Sequence, residues 1–137
     1  MEIARPFRIL GIAGSLRRAS YNKGLLRAAQ EVAPPGVEVE IFDLAPIPLY
    51  NADVEAAGDP EPVRLFKERI RAADALLIAT PEYNYSIPGV LKNALDWAGR
   101  PPADSPLRQK PVALIGASTG MFGTVRAQLA LRQVFVY

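Results

Sequence analysis

The sequence contains no cysteine and no histidine among its 137 residues. Without cysteine there is no disulfide, no thiolate metal ligand and no cysteine nucleophile. Without histidine the chain lacks the most common general base and metal ligand, and a Ser-His-Asp triad is excluded. A Ser-Lys pair or a pair of carboxylates stays open for acid–base work. Any redox or hydride chemistry must therefore come from a bound organic cofactor.

Long apolar runs and dense clusters of one charge are also absent. No apolar run approaches the roughly 18 residues of a membrane span, and the N-terminal segment lacks the apolar region of a signal peptide. The net charge is +2, and the basic residues are scattered rather than grouped along a nucleic-acid track. We expect a cytoplasmic protein that binds neither membrane nor nucleic acid and has no metal site.

Half of the residues are hydrophobic, which is enough for one continuous core, and we expect a single domain over residues 1–137. Short apolar segments predict four strands, at 7–13, 37–44, 75–79 and 112–116. The most apolar segment, 75–79, is expected at the centre of the sheet, and the alternating segment 37–44 at or near an edge.

Helical spacing alternates with these strands. It predicts helices over 22–33, 60–73 and 89–98, the last opened by Ser86 and Pro88, and a fourth from about Thr124 toward the C-terminus, while 45–60 and 101–111 are expected to be loops. In the first helix, the residues that share one face are Leu25, Leu26, Ala29 and Val32. In the second helix, the residues expected to face inward are Val63, Phe66, Ile70 and Ala73. Lys67 is among the residues expected in solvent. This alternation is typical of an α/β fold with a parallel sheet.

Ligands of such sheets bind beyond the carboxyl ends of the strands, where loops 14–22, 80–88 and 117–123 are expected. The first loop joins a strand to a helix N-terminus, which attracts anions. It adds two hydroxyls, an amide and a cation, from Ser15, Ser20, Asn22 and Arg17. This chemistry favours a phosphate site, although neither a P-loop nor a GxGxxG pattern is present. The alternative is that Ser20 and Asn22 only cap the helix and Arg17 lies in solvent.

The second loop, TPEYNYSIP, offers a stiff polar and aromatic wall on which a flat heterocycle can stack. Its alternative role is a proline-shaped turn whose tyrosines cover apolar surface. The third loop, ASTGMFG, has two glycines and two hydroxyls that permit close approach to a ligand, but by itself it is more typical of an ordinary turn. The convergence of all three loops at one edge favours a ligand site.

Three motifs, GSLRRASYN, TPEYNYSIPGVLKNALDW and GASTGMFGTVRAQ, resemble in order and spacing the NADPH-dependent FMN reductase family. The resemblance implies a flavodoxin-like three-layer fold, FMN as cofactor, NADPH or NADH as reductant, and an acceptor such as a quinone, flavin, azo compound or metal ion. It assigns the FMN phosphate to Ser15, Arg17, Ser20 and Asn22. The ribityl chain and ring would run along Pro81, Glu82, Tyr83 and Asn84, and Ser118, Thr119 and Gly120 would approach the ring from the other side.

The resemblance also implies that catalysis needs no protein acid or base, since the nicotinamide stacks on the flavin and gives hydride to N5 before the acceptor takes its place. It implies a homodimer or homotetramer, with Leu91, Leu95 and Trp97 as interface candidates; helical spacing equally suits a core position for them. Family members continue into a fifth strand and a helix that this sequence lacks. We therefore expect an uncovered edge on the fourth strand.

Two other functions stay open at this stage. One is a flavodoxin-like electron carrier without reductase activity, although the mildly basic composition and GSLRRASYN differ from the acidic character and Thr-rich phosphate loop of flavodoxins. The other is a structural or regulatory remnant that no longer binds flavin. The sequence does not distinguish among acceptors, nor between NADH and NADPH.

Overall fold

Four parallel strands form the sheet on which the helices pack, in the computed structural model that describes residues 5–136. The strands are β1 (Phe7–Ala13), β2 (Val37–Phe42), β3 (Ala75–Ala79) and β4 (Val112–Ile115). Their order is β2-β1-β3-β4, and every neighbouring pair is parallel. The predicted parallel α/β fold is confirmed, with β3 inside the sheet and β2 at an edge. Within the described residues β4 pairs with β3 alone, so its other edge is uncovered, as expected.

Five α-helices connect or follow these strands in residues 5–136: α1 (Tyr21–Val32), α2 (Ala52–Ala57), α3 (Glu61–Ala72), α4 (Gly89–Ala98) and α5 (Val125–Val134). Prolines and a glycine mark the boundaries of these helices. Pro88 precedes α4, Pro60 precedes α3, and the turn that ends α1 contains Gly36 with a φ of 85°. Within residues 5–136 no helix combines the length and apolarity that a membrane crossing requires.

The sheet is covered on both faces, which makes a three-layer flavodoxin-like arrangement. On one face, Leu10, Ile12, Leu76 and Ile78 point into the main core with side chains of α3 and α4. On the other face, Ala13 and Ala79 pack against Leu26 of α1. Alternate residues of β1 and β3 thus face opposite layers, as the two-residue period of a strand requires. This packing fixes the carboxyl ends of β1, β3 and β4 at one edge of the molecule.

One prediction about a loop is wrong, because the segment 45–60 contains α2. Asn51 begins this helix, and its side-chain Oδ1 accepts a hydrogen bond from the Asp53 N–H at 2.9 Å. The helix has only six residues and buries none of them, so it has no apolar period to detect.

One prediction about side-chain exposure is also wrong. Lys67, expected in solvent, is buried, and its Nζ lies 2.6 Å from Asp59 Oδ2. A lysine stem can line a core when its ammonium finds a carboxylate partner, and here Asp59 lies just before α3.

The candidate interface residues Leu91, Leu95 and Trp97 belong to the core of this chain. All three are buried, and the Trp97 indole N–H donates to the Pro48 carbonyl at 2.8 Å. The core alternative is therefore confirmed, and these residues do not present a surface to a partner.

Candidate functional site

The three predicted loops meet at the carboxyl ends of β1, β3 and β4 and enclose a cleft of about 200 Å³. Each loop contributes a wall. The residues that line the cleft are Ser15, Arg17, Ser20, Tyr21, Asn22, Pro81, Glu82, Tyr83, Ala117, Ser118 and Thr119. The convergence expected from the strand order is thus present in the structure.

The first loop holds the N-terminus of α1 open toward the cleft. Ser20 begins the helix, and its Oγ accepts hydrogen bonds from the N–H groups of Asn22 and Lys23. Further along the loop, the Arg17 N–H donates to Ser15 Oγ at 3.3 Å. The N–H groups of Leu16, Arg18 and Ala19 have no acceptor among residues 5–136. Unpaired N–H groups beside a helix N-terminus form a binding site for an anionic group.

Asn22 joins the first loop to the third. Its Oδ1 accepts from the Ala117 N–H at 3.0 Å, and its Nδ2 donates to the Ala117 carbonyl at 3.2 Å. The residue is buried, and its amide oxygen and nitrogen are both used in this bridge. Asn22 therefore positions the walls of the cleft, while the groups left free for an anion are the loop N–H groups and the exposed Arg17 guanidinium, which lies 5.4 Å from the Tyr21 ring.

The second loop contains a tight two-residue hairpin turn. Tyr83 and Ser86 exchange N–H···O hydrogen bonds of 3.0 Å in both directions. Between them, Asn84 and Tyr85 have φ values of 49° and 66°. Two consecutive left-handed residues are typical of a type I′ turn, a geometry that asparagine accepts and tyrosine adopts at a cost. The turn directs Tyr83 to the cleft and leaves Tyr85 at the surface, with the Arg126 guanidinium 4.1 Å from its ring.

The Glu82 carboxylate in this second loop binds to α5. Its Oε2 accepts from the N–H groups of Arg126 and Ala127 at 2.8 and 3.2 Å, and its Oε1 lies 3.2 Å from Arg126 Nη1. Burial raises the pKa of the Glu82 carboxyl, but the hydrogen bonds from Ala127 and Arg126 lower it further, and the pKa lies below its ordinary value. The group is ionised at neutral pH, and the hydrogen bonds that it accepts come from Arg126 and Ala127 of α5.

The third loop begins at a crowded position. A Cβ built on Gly116 would lie 2.6 Å from the Thr80 carbonyl oxygen and 2.8 Å from Thr124 Cβ. Thr124 is buried at the start of α5. Only glycine permits this approach of the β4 end to the neighbouring strand and helix.

Most of the residues assigned from the sequence lie around the cleft, and two lie beside it. Asn84 forms the exposed tip of the hairpin, and Gly120, also exposed, donates its N–H to Ser118 Oγ at 3.0 Å. Neither belongs to the residues that line the cleft. Sequence reasoning missed Tyr21 and Ala117. Tyr21 follows the capping serine directly, and that position at a helix start could have identified it.

A larger cavity of about 780 Å³ lies elsewhere, at the far ends of α4 and α5. Its lining includes Lys92 and Asp96, which pair with each other at 2.6 Å, together with side chains of the segment 99–109. It is at the opposite end of these helices from the three loops and lacks their unpaired N–H groups. Volume alone does not make a site, and we place the functional site at the smaller cleft, where chemically suitable groups converge.

Comparison with known proteins decides the family. The family model for NADPH-dependent FMN reductases matches residues 7–137. The chain belongs to the NADPH-dependent FMN reductase family. It is 58 % identical over 130 residues to the NAD(P)H-dependent FMN reductase PA1204 of Pseudomonas aeruginosa, covering 95 % of this chain and 70 % of that protein.

Two further proteins are similar to this chain over nearly all of its length. The NAD(P)H:quinone oxidoreductase of Solanum tuberosum is 46 % identical, with 98 % of this chain and 70 % of that protein covered. Among solved structures, the flavoenzyme NAD(P)H:(acceptor) oxidoreductase FerB of Paracoccus denitrificans superposes with a TM-score of 0.88 at 40 % identity, covering 94 % of this chain and 70 % of that one. The resemblance stated from the motifs is confirmed, and the chain is an FMN reductase or quinone reductase of the NAD(P)H-dependent class.

Proposed function

We propose that this reductase holds FMN at the cleft between the three loops and transfers reducing equivalents from NAD(P)H to a quinone or a similar acceptor. The observation that carries the proposal is the set of unpaired N–H groups in the loop 15–20, a loop whose Ser15, Arg17 and Ser20 line the same cleft as Pro81 and Tyr83. FMN has a phosphate at one end, which suits the N–H donors, and a flat ring at the other end, which suits the wall of Pro81 and Tyr83.

The donor set fits the FMN phosphate. The free N–H groups of Leu16, Arg18 and Ala19 and the Arg17 guanidinium are donors only, and a phosphate is an acceptor with a strong preference for charged partners. Ser15 and Ser20 add buried hydroxyls at the same place. Asn22 supports the site by holding Ala117, and we assign it no direct bond to phosphate.

The size of the cleft indicates which part of FMN it would enclose. At about 200 Å³ it is below the roughly 300–1,000 Å³ of sites that enclose a whole organic ligand. An apolar hollow of about 370 Å³ adjoins it and shares Tyr21 and the residues 117–119. We assign the FMN phosphate and the adjoining ribityl chain to the cleft. The rest of FMN would lie between Pro81–Asn84 on one side and Ser118–Gly120 on the other.

When bound, FMN supplies the redox chemistry by accepting a hydride equivalent from NAD(P)H and delivering electrons to the acceptor. The residues of the chain bind and orient. Among the cleft residues, the Glu82 carboxylate is already engaged by α5, and the remaining polar groups are hydroxyls, an amide and a guanidinium. None of these is an efficient general base at neutral pH, so the protein contributes position and charge rather than proton transfer.

Arg17→Ala is expected to weaken FMN binding by about 1.5–3 kcal/mol, the usual contribution of a hydrogen bond to a charged group. Flavin fluorescence quenching measures the dissociation constant. Arg27→Ala is the matched control, because Arg27 is an exposed arginine on α1 that does not line the cleft. An unchanged dissociation constant for Arg17→Ala would remove this residue from the site.

A steady-state assay separates a reductase from an electron carrier that only binds flavin. With FMN present, the protein should oxidise NADPH or NADH continuously on addition of a quinone. The carrier alternative predicts bound flavin without this turnover. Free flavin, an azo dye and a ferric chelate, tested in the same assay, rank the acceptor classes that an open flavin face permits.

We also propose that the protein is cytoplasmic and assembles as a homodimer or homotetramer, as the resemblance implies. The core positions of Leu91, Leu95 and Trp97 mean that such an interface must use other residues. Light scattering that gives the mass of a monomer would contradict the assembly.

A further inference from the structure

A carboxylate outside the redox chemistry connects two walls of the cleft. Glu82 follows β3 in the second loop, and its partners Arg126 and Ala127 lie in the first turn of α5, directly after the third loop. The carboxylate therefore joins the second loop to the start of α5, which follows the third loop along the chain. Its side chain is 12 % exposed, so this contact is largely screened from water.

The start of α5 depends on this contact. Thr124 precedes the helix, but its side chain makes no capping hydrogen bond. Two of the N–H groups that a helix start leaves unpaired, those of Arg126 and Ala127, are instead satisfied by Glu82. A negative charge at a helix N-terminus is stabilised by the helix dipole as well. Glu82, which belongs to another loop, thus caps α5 in place of a residue next to the helix.

Arg126 extends the connection on the outer side. Its guanidinium lies near Glu82 Oε1, 4.1 Å from the Tyr85 ring centre and 5.0 Å from that of Phe122. Tyr85 is in the strained hairpin of the second loop, and Phe122 is in the third loop. One arginine therefore contacts both loops, and Glu82 fixes the backbone and the side chain of that arginine.

We infer that Glu82 is a positioning residue for the flavin: its carboxylate sets the separation of the second and third loops through the N-terminus of α5. This inference rests on the proposed FMN site, but the contact itself exists without a ligand. Loss of the charge should leave the reacting groups untouched and change how tightly, and in which geometry, the two walls hold the ring.

The test replaces Glu82 by glutamine, which keeps the size and one acceptor oxygen but removes the charge. In the absence of FMN, amide hydrogen exchange in peptides covering 117–127 should become faster in Glu82→Gln than in the wild type. With FMN, the dissociation constant should rise roughly 3- to 10-fold, as expected for loss of part of a charge-assisted contact. The visible circular dichroism of the bound flavin should change as well, because the ring then sits between differently spaced walls.

Glu55→Gln is the matched control. Glu55 is also a largely buried carboxylate, 17 % exposed, which pairs with Arg100 and accepts from the Tyr50 hydroxyl. It lies on α2, away from the cleft, so its loss should lower stability without changing the flavin spectrum or the exchange of 117–127. Arg126→Met is a second, milder variant in which both backbone bonds to Glu82 remain, and we expect a smaller effect in the same direction.

Unchanged exchange of 117–127 in Glu82→Gln, or an unchanged flavin spectrum and dissociation constant, would overturn the inference. If Glu82→Gln fails to fold, Arg126→Met decides by the same readouts. Failure of the wild type to bind FMN would refute the proposed site instead, and the exchange measurement in the free protein would still report whether Glu82 orders the third loop.

Discussion

Gly116→Ala is expected to lower the free energy of unfolding by about 3 kcal/mol, the upper part of the range for forcing extra atoms into a packed interior. The added Cβ would lie 2.6 Å from the backbone carbonyl oxygen of Thr80, which cannot move aside as a flexible side chain would. It would also press on Thr124 at the start of α5. Relief of the contact with Thr80 must displace the end of β4 from β3, and relief of the contact with Thr124 must displace Thr124 at the start of α5. Urea denaturation measures the loss.

The same substitution should impair FMN binding, because the displaced segment leads directly into Ala117, Ser118 and Thr119. Gly89→Ala is the matched control. Gly89 is the first residue of α4, and a Cβ there meets nothing within 4 Å. Alanine at that position should stabilise the protein by about 0.5–1 kcal/mol through its better helix propensity. Wild-type stability in Gly116→Ala would contradict the crowding that the structure shows.

Asn22→Ala should reduce both stability and FMN affinity, by about 2–3 kcal/mol in the free energy of unfolding. The substitution leaves the N–H and the carbonyl of Ala117 without their partners, and it separates the first loop from the third. The measurements are urea denaturation of the free protein and fluorescence titration with FMN. Affinity should fall at least tenfold, because both the phosphate loop and the opposite wall lose their common support.

Asn93→Ala distinguishes a loss at the site from a general loss of stability. Asn93 makes an equivalent amide bridge elsewhere: its Oδ1 accepts from the Tyr50 N–H, and its Nδ2 donates to the Pro48 carbonyl, both at 2.8 Å. We expect a comparable loss of stability with unchanged FMN affinity. If both asparagine variants weaken FMN binding equally, Asn22 has no special part in the site.

The fold was predictable because its strongest signals are local and repeated. The apolar run at 75–79 and the helical spacing of Val63, Phe66 and Ile70 each predict an element whose buried face the structure confirms. The topology then follows from strand–helix alternation. The elements that were missed or misjudged lack such a signal: α2 buries no side chain, and Lys67 is buried only because Asp59 happens to face it.

The composition of the site was also predictable, but the tasks of its residues were not. The sequence indicates that the loops with Ser15, Glu82 and Ser118 converge, since carboxyl ends of parallel strands share an edge. It does not reveal that the Asn22 amide bonds to Ala117 or that the Glu82 carboxylate bonds to α5, because both contacts join residues far apart in the chain. Long-range hydrogen bonds have no sequence period, so only the structure assigns them.

The most direct test of the account is the visible absorbance spectrum of the purified protein after incubation with FMN and desalting, followed by anaerobic addition of NADPH or NADH. The account predicts a flavin spectrum that stays with the protein and bleaches when the reductant is added. A protein that retains no flavin after desalting would contradict the assignment of the three-loop cleft as an FMN site. Retained flavin that does not bleach would contradict the proposed reductase activity.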